Sequence, residues 1–354
     1  RPRPPAPIST VGAARRLAEL GGALSPQDDR KQVDLLMENE LWETRRTQAT
    51  NPHVASLFQR LSTFVLQGGK RLRPRLCLAS FRILTQSLGQ PPPEPIWKAA
   101  TSLEVFHAFM LVHDDLIDAS SLRRGQPTLH EAIRLDEAGP DTPQRRKRAA
   151  DLGLIGGDLL YAIGLRMLAQ ANLPAESHVR ATRQITAMLL ETGIGQTLDV
   201  LFDDCSLGEL KEADLVEAYV RKTSRYSVSG PLVLGAILAG AEESVCLSLQ
   251  RFGDLLGFAY QVRNDLDSLE EDLKSGDHAD LDGGKRTFVL WTAYQFLEPA
   301  GRQALEEALA APVSVARRRL IRDLIAQSGA VPACNTRIEA SVREAVEALS
   351  QSSL

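Results

Sequence analysis

The stretch Leu111-Val112-His113-Asp114-Asp115-Leu116-Ile117-Asp118 ends an apolar helical run in a cluster of acids, and both fold and chemistry follow outward from it. On a helix Asp114 and Asp118 are i and i+4, so their carboxylates share one face about one turn apart. Left alone, they repel each other. A shared divalent cation removes the repulsion, and hard oxygen ligands that leave room for water and phosphate oxygens suit Mg2+. Asp115 turns to a neighbouring face, where it would support the pair. An isolated pattern of this kind also fits a solvated acidic helix end. Here Arg123-Arg124-Gly125 follow five residues on, two guanidiniums suited to bidentate phosphate recognition beside a backbone-permissive glycine.

Upstream, Gly68-Gly69-Lys70-Arg71-Leu72-Arg73-Pro74 joins a glycine pair, three cations and a proline suited to opening a helix. Such a turn can cradle an anion at the helix N-terminus, or can be no more than an exposed connection. Apolar residues recur at helical spacing from Arg30 onward, first at Val33, Leu36 and Met37, then at Leu57, Leu61, Phe64 and Val65. Breakers at Gly68-Gly69, Pro91-Pro92-Pro93, Gly139-Pro140, Pro174, Gly276 and Gly283-Gly284 cut the rest into helix-length blocks, and strand-like alternation is nowhere sustained. The expected fold is all-α. Residues 1–29 read as a mobile arm rich in Pro, Ala and Arg, residues 30–354 as one helical domain, and Glu137 to Lys147 as an exposed loop.

Composition narrows the function. A formal net charge of -4 argues against a nucleic-acid binder, because phosphate-backbone affinity needs a basic surface. The apolar runs, such as Pro231 to Ala241, are too short to span a bilayer, and no signal peptide is expected. The chain opens at Arg1 rather than Met, which points to a further N-terminal segment. Cys77, Cys205, Cys246 and Cys334 lie far apart without metal-ligand spacing, so a reducing, cytoplasmic setting is expected.

Taken in order, GGKRLRP, DDLID with RRGQPTLH, LIGGDLL, GIGQTLD, RKTSRYS, YQVRND and GGKRT resemble the trans-prenyl diphosphate synthase family, from roughly Asn51 to Thr287. The resemblance implies a bundle of mostly antiparallel helices around a deep cavity, with two Asp-rich motifs across its mouth. It implies an enzyme that joins isopentenyl diphosphate to an allylic diphosphate and releases pyrophosphate, with two to three Mg2+ ions, as a homodimer. Carried over residue by residue, Asp114 and Asp118 would hold metal on the allylic diphosphate, supported by Asp115 and contacted by Arg123. Lys222, Thr223 and Lys285 would stabilise the leaving group, and Gln261 would lie near the reacting end. Isopentenyl diphosphate would sit without metal on Lys70, Arg73, His107 and Arg124. Gln196 and Asp199 fit either a polar network or a cavity lining.

The second Asp-rich motif departs from the family's DDxxD. It reads Asn264-Asp265-Leu266-Asp267-Ser268, so the remaining metal would rest on Asn264 and Asp265, or on a set shifted to Asp267 and Glu271. An amide oxygen is a weaker, neutral donor to Mg2+. A lysine usual in the following loop is replaced by Asp277-His278. Phe109 and Met110, just before Asp114, are large enough to floor the product tunnel, with Phe106 a turn deeper; by resemblance this implies a short product, geranylgeranyl diphosphate in preference to farnesyl. The same residues also fit plain core packing. Two other functions compete: a terpene cyclase of the same fold, which has no use for Lys70, Arg73 and Arg124, and a non-catalytic partner subunit, which has none for an intact first motif and Lys222.

Overall fold

The computed structural model describes residues 28–88, 90–136, 139–275 and 284–351. They are almost wholly helical and fall into two compact units, one built on the described residues of 28–182 with 235–240, the other on those of 183–234 with 241–351. The expected N-terminal arm lies outside the described residues except at its end, where helix α1 (Asp28–Gln48) has already begun. Asp29 is buried there and takes both guanidinium nitrogens of Arg82, at 2.6 and 2.8 Å, so the helical body starts earlier than composition suggests.

In the first unit α1 is followed by α2 (Pro52–Leu66), α3 (Leu72–Leu84) and α4 (Glu94–Ile117). A two-residue ribbon, β1 (Leu122–Arg123) against β2 (Gln126–Pro127), then leads to α5 (Leu129–Asp136) and α6 (Pro143–Ala169). The ribbon is the only sheet among the described residues. Its turn is Arg124-Gly125, at φ 54 and 73, and positive φ at both central residues is the geometry of a two-residue hairpin turn that twists with its strands. The expected loop ending at Lys147 is instead helix from Pro143. Thr142 caps it by accepting from the Arg145 amide at 3.2 Å, and proline suits the first turn, a signal hidden by the basic run that follows. By length and apolar composition α6 could cross a bilayer, although much of its apolar part is buried within the structure.

Helix α4 packs chiefly on α6, and glycines on α6 set how closely. A Cβ at Gly157 would lie 2.4 Å from the His113 ring, and one at Gly164 would lie 2.8 Å from Phe106. Bulky α4 side chains therefore occupy space that Gly157, in the LIGGDLL segment, and Gly164, one turn beyond it, leave empty. Helix α7 (Ala175–Phe202) passes from the first unit into the second.

The second unit continues with α8 (Glu212–Tyr219), a π-helical stretch (Val220–Ser229) and the start of α9 (Gly230–Leu238), whose residues from Gly235 count with the first unit, then α10 (Glu243–Ser275). It closes with α11 (Phe288–Phe296), α12 (Pro299–Ala310), α13 (Val315–Ser328) and α14 (Ala330–Ser350). Its core joins Phe258, Val262 and Leu266 of α10 to Phe288 and Val289 of α11, with the Phe258 and Phe288 rings edge to face at 5.3 Å. The backbone of the π stretch is seated against glycines: a Cβ at Gly195 would come within 2.3 Å of the Lys222 nitrogen, and one at Gly257 within 2.5 Å of the Ser224 Cα.

Candidate active site

In the first unit the acids stand at the C-terminal end of α4. The Asp118 amide donates to the Asp114 carbonyl at 2.9 Å, the one-turn relation expected of the pair, and the negative end of the helix dipole favours a cation there. Asp114 is partly exposed and Asp118 exposed. Asp115 is buried inward instead: its Oδ1 accepts from Arg123 Nε at 2.8 Å and lies 2.6 Å from Nη2, while Oδ2 is buried with no hydrogen-bond partner among the described residues. Burial pushes the Asp115 carboxyl up, and Arg123 only partly offsets this. Arg123 Nη2 also lies 3.4 Å from Asp114 Oδ2. Among the described residues no three acid, imidazole or thiol groups enclose an ion site. The donors fit Mg2+ all the same, since two carboxylates at a solvent-facing helix end leave most of the shell to water and phosphate oxygens.

The cations gather near the acids. Arg124 Nη1 reaches the Gln67 carbonyl at 3.5 Å, and a Cβ at Gly69 would lie 3.1 Å from that nitrogen, so the GGKR turn and the Arg-Arg-Gly hairpin are neighbours. A cleft of about 310 Å3 lies there, lined by Phe64, Gln67, Leu111, Arg123, Arg124 and Gln126. His107 sits among these charges. Burial first, then Arg73, Arg124, Arg123 and Arg71, push its pKa well below 6.5, and burial with Arg123 and Arg71 likewise lowers Arg124. Such crowding is what a bound anion relieves. The three cations of the turn divide: Lys70 is exposed and Arg73 half-buried, whereas Arg71 is buried and spent on Asp34 at 2.7 Å and Glu104 at 3.4 Å.

Below the acids, Phe109 and Met110 are half-buried. The Phe109 ring lies 4.8 Å from His113 and 5.3 Å from Tyr161, and fully buried Phe106 lies 5.9 Å from Tyr161. Tyr161 of α6 was not singled out from the sequence. An aromatic residue on a neighbouring helix gives no local cue to such a role.

In the second unit Lys222 and Lys285 both reach Asp199 Oδ2, at 2.7 and 3.1 Å, and Lys285 lies 3.5 Å from Asp203 Oδ2. Burial would raise Asp199, but the two ammonium groups outweigh it and hold the carboxyl below its usual range. Beside them runs a chain of hydrogen bonds. Thr223 Oγ1 donates to Gln261 Oε1 at 3.0 Å, Gln261 Nε2 to Asp265 Oδ1 at 2.8 Å, and the Tyr219 hydroxyl to Asp265 Oδ2 at 2.5 Å. The Phe288 amide, just after the GGKRT segment, donates to the same hydroxyl at 2.7 Å. Burial, then the charge and hydrogen bond of Asp265, push the Tyr219 phenol well above its usual range, so it remains a donor. Gln196 is half-buried, its amide nitrogen without a partner among the described residues.

The second Asp-rich segment offers an ion little. Asp265 is 7% exposed and each of its oxygens carries a donor; Asn264 is half-buried and neutral. Asp267 is taken up by Arg263 at 2.6 Å on the surface, which disfavours the shifted set. The Glu271 side chain and Asp277-His278 lie outside the described residues. Sequence reading passed over Tyr219, Asp203 and Glu191. Glu191 Oε2 clasps Arg221 at 2.6 Å and Arg225 at 2.7 Å, bracing the π stretch that carries Lys222.

The polyprenyl synthetase family model matches residues 55–324. The chain is 30% identical over 262 residues to a geranylgeranyl diphosphate synthase of Sulfolobus acidocaldarius, covering 72% of each. It is 27% identical over 299 residues to a geranylfarnesyl diphosphate synthase of Aeropyrum pernix, covering 80% of this chain and 84% of that one. The crystal structure of a geranylgeranyl pyrophosphate synthase from Corynebacterium glutamicum, complexed with isoprenyl diphosphate and magnesium, is similar with a TM-score of 0.78 at 27% identity, covering 90% of this chain and 92% of that chain. The helical fold, the acid pair on α4 and these likenesses agree, and the chain belongs to the polyprenyl synthetase family of prenyltransferases.

Proposed function

We propose that this enzyme condenses isopentenyl diphosphate with dimethylallyl, geranyl or farnesyl diphosphate, builds geranylgeranyl diphosphate, and releases one pyrophosphate at each step. The observation that carries this reading is the pairing, within one unit, of two carboxylates at a helix end with a crowded set of cations about His107. The first suits a metal-bound diphosphate and the second a metal-free one.

Asp114 and Asp118 would hold Mg2+, which would supply positive charge to the allylic diphosphate, the group that leaves. Of the two to three ions expected, two are assigned to this pair. Arg123, held by Asp115, points its remaining donors to the same diphosphate. Lys222 and Lys285 stabilise the pyrophosphate charge that develops as the allylic cation forms, and Thr223 and Gln261 order that region. Lys70, Arg73, His107 and Arg124 bind isopentenyl diphosphate. The double bond of isopentenyl diphosphate attacks the cation, and the departing pyrophosphate accepts the proton lost afterwards; no side chain is assigned as base.

The four cysteines form no disulfide among the described residues, which fits action in the cytoplasm. Exposed Leu154 and Ile155 on α6, and exposed Leu190, Ile194 and Leu201 on α7, fit a homodimer. Product length rests on Phe109. With labelled isopentenyl diphosphate, Mg2+ and each allylic diphosphate in turn, geranylgeranyl diphosphate is the expected longest major product. Phe109→Ala removes the ring above Tyr161 and shifts the longest product by at least one isoprene unit. An unchanged product distribution in this variant contradicts the floor.

A further inference from the structure

We propose that Tyr219 is a positioning residue for prenyl transfer, and that the Asn264–Ser268 segment acts in this chain as a hydrogen-bonded scaffold rather than as a metal site. The inference rests on the reading under Proposed function and deepens it.

The Tyr219 hydroxyl is a junction of three segments. It stands at the end of α8, immediately before the π stretch of Lys222 and Thr223. It donates to Asp265 on α10 at 2.5 Å and accepts from the Phe288 amide at 2.7 Å, three residues beyond Lys285. Through Asp265 it fixes Gln261, and through Gln261 the Thr223 hydroxyl. One oxygen atom thus sets the mutual register of the segments that carry Lys222, Gln261 and Lys285. The tyrosine ring is held independently, 6.1 Å from Phe258 and 6.5 Å from Phe288, so the hydroxyl is separable from the packing.

The same contacts close Asp265 to an ion. A carboxylate that already takes a donor on each oxygen and is only 7% exposed offers little room to a cation that keeps several waters. Its neighbours do not replace it: Asn264 is neutral, Asp267 is paired with Arg263, and residue 268 is serine. A carboxylate in this setting orients hydrogen-bond donors, and catalysis depends on that orientation because small misplacements of charged groups are costly.

The test compares wild type, Tyr219→Phe and Asp265→Asn by kcat, by KM for isopentenyl diphosphate and by the Mg2+ concentration giving half-maximal rate, with thermal unfolding recorded for each. Tyr219→Phe is expected to lower kcat about tenfold or more while KM and the Mg2+ midpoint stay within about twofold, a split that general loosening of the fold does not give. Asp265→Asn is expected to lower kcat while leaving the Mg2+ midpoint in place, and it decides the matter if Tyr219→Phe fails to fold. A wild-type kcat in Tyr219→Phe, or a Mg2+ midpoint raised about tenfold in Asp265→Asn, as loss of a metal ligand requires, overturns the inference. Absence of condensation by the wild-type chain overturns the prenyl-transfer reading itself, and this inference with it.

Discussion

Asp114→Asn is expected to lower kcat for condensation about 10³-fold, the scale of removing one preorganised charge from a site where charge develops. The substitution keeps the shape of the side chain and takes away its formal charge. That charge stands at the C-terminal end of α4, where the helix dipole already favours a cation, one turn from Asp118. The fold does not rest on it. Asp114 is 27% exposed at its side chain, and its bond from Arg123 is long at 3.4 Å, whereas Asp115 next to it holds Arg123 at 2.6 Å in the interior. Thermal unfolding of Asp114→Asn is therefore expected to move by no more than about 0.5 kcal/mol in stability, as at other surface positions. The required Mg2+ concentration should rise along with the loss of rate. A variant that keeps its rate, or that loses it only by unfolding, would remove the acid pair from the chemistry.

Gly195→Ala is expected to be nearly as damaging, by a different route. A Cβ there meets backbone, not a yielding side chain: 2.3 Å from the Lys222 nitrogen and 2.7 Å from its Cα. Either α7 or the π stretch must move, at a cost of about 1–3 kcal/mol for overpacking. α7 carries Asp199 and the π stretch carries Lys222, so movement of either shifts one partner of this ion pair against the other, and a displacement near 1 Å can lower rate by about 10²-fold. Gly193, two residues earlier on the same helix, is exposed with open space around its Cα, so Gly193→Ala is expected to keep its activity and gain up to about 1 kcal/mol of helix propensity. Steady-state kinetics and unfolding of the two variants side by side separate helix composition from the seat of Lys222. Equal behaviour of the pair would refute the close-packing account.

What the sequence made legible was identity and local spacing. The one-turn relation of Asp114 to Asp118 follows from helical period alone, whereas the grouping of Arg73, Arg124 and His107 was expected only through the resemblance of the ordered motifs to the family. The start of α6 was misplaced because the run Arg145 to Lys147 looked like solvated loop, although Thr142-Pro143 is a cap followed by a favoured first residue. The π stretch was not legible at all, since i to i+5 bonding leaves no periodic mark in ten residues, and what sustains it are glycines on α7 and α10 far away in sequence. Tyr219 escaped for a related reason. A tyrosine closing an amphipathic helix reads as core, and only the fold shows its hydroxyl meeting Asp265 and the Phe288 amide. The change of the second motif to Asn264 and Ser268 was plain in the letters. Its consequence, an aspartate turned inward onto neutral donors, depended on residues 46 and 4 positions away.

Pyrophosphate release from farnesyl diphosphate and Mg2+, measured with and without isopentenyl diphosphate, tests the central claim most directly. Release is expected only when isopentenyl diphosphate is present, with one pyrophosphate formed for each isopentenyl unit incorporated. Release from the allylic diphosphate alone, with hydrocarbon or alcohol as the product and no incorporation of isopentenyl diphosphate, would contradict it.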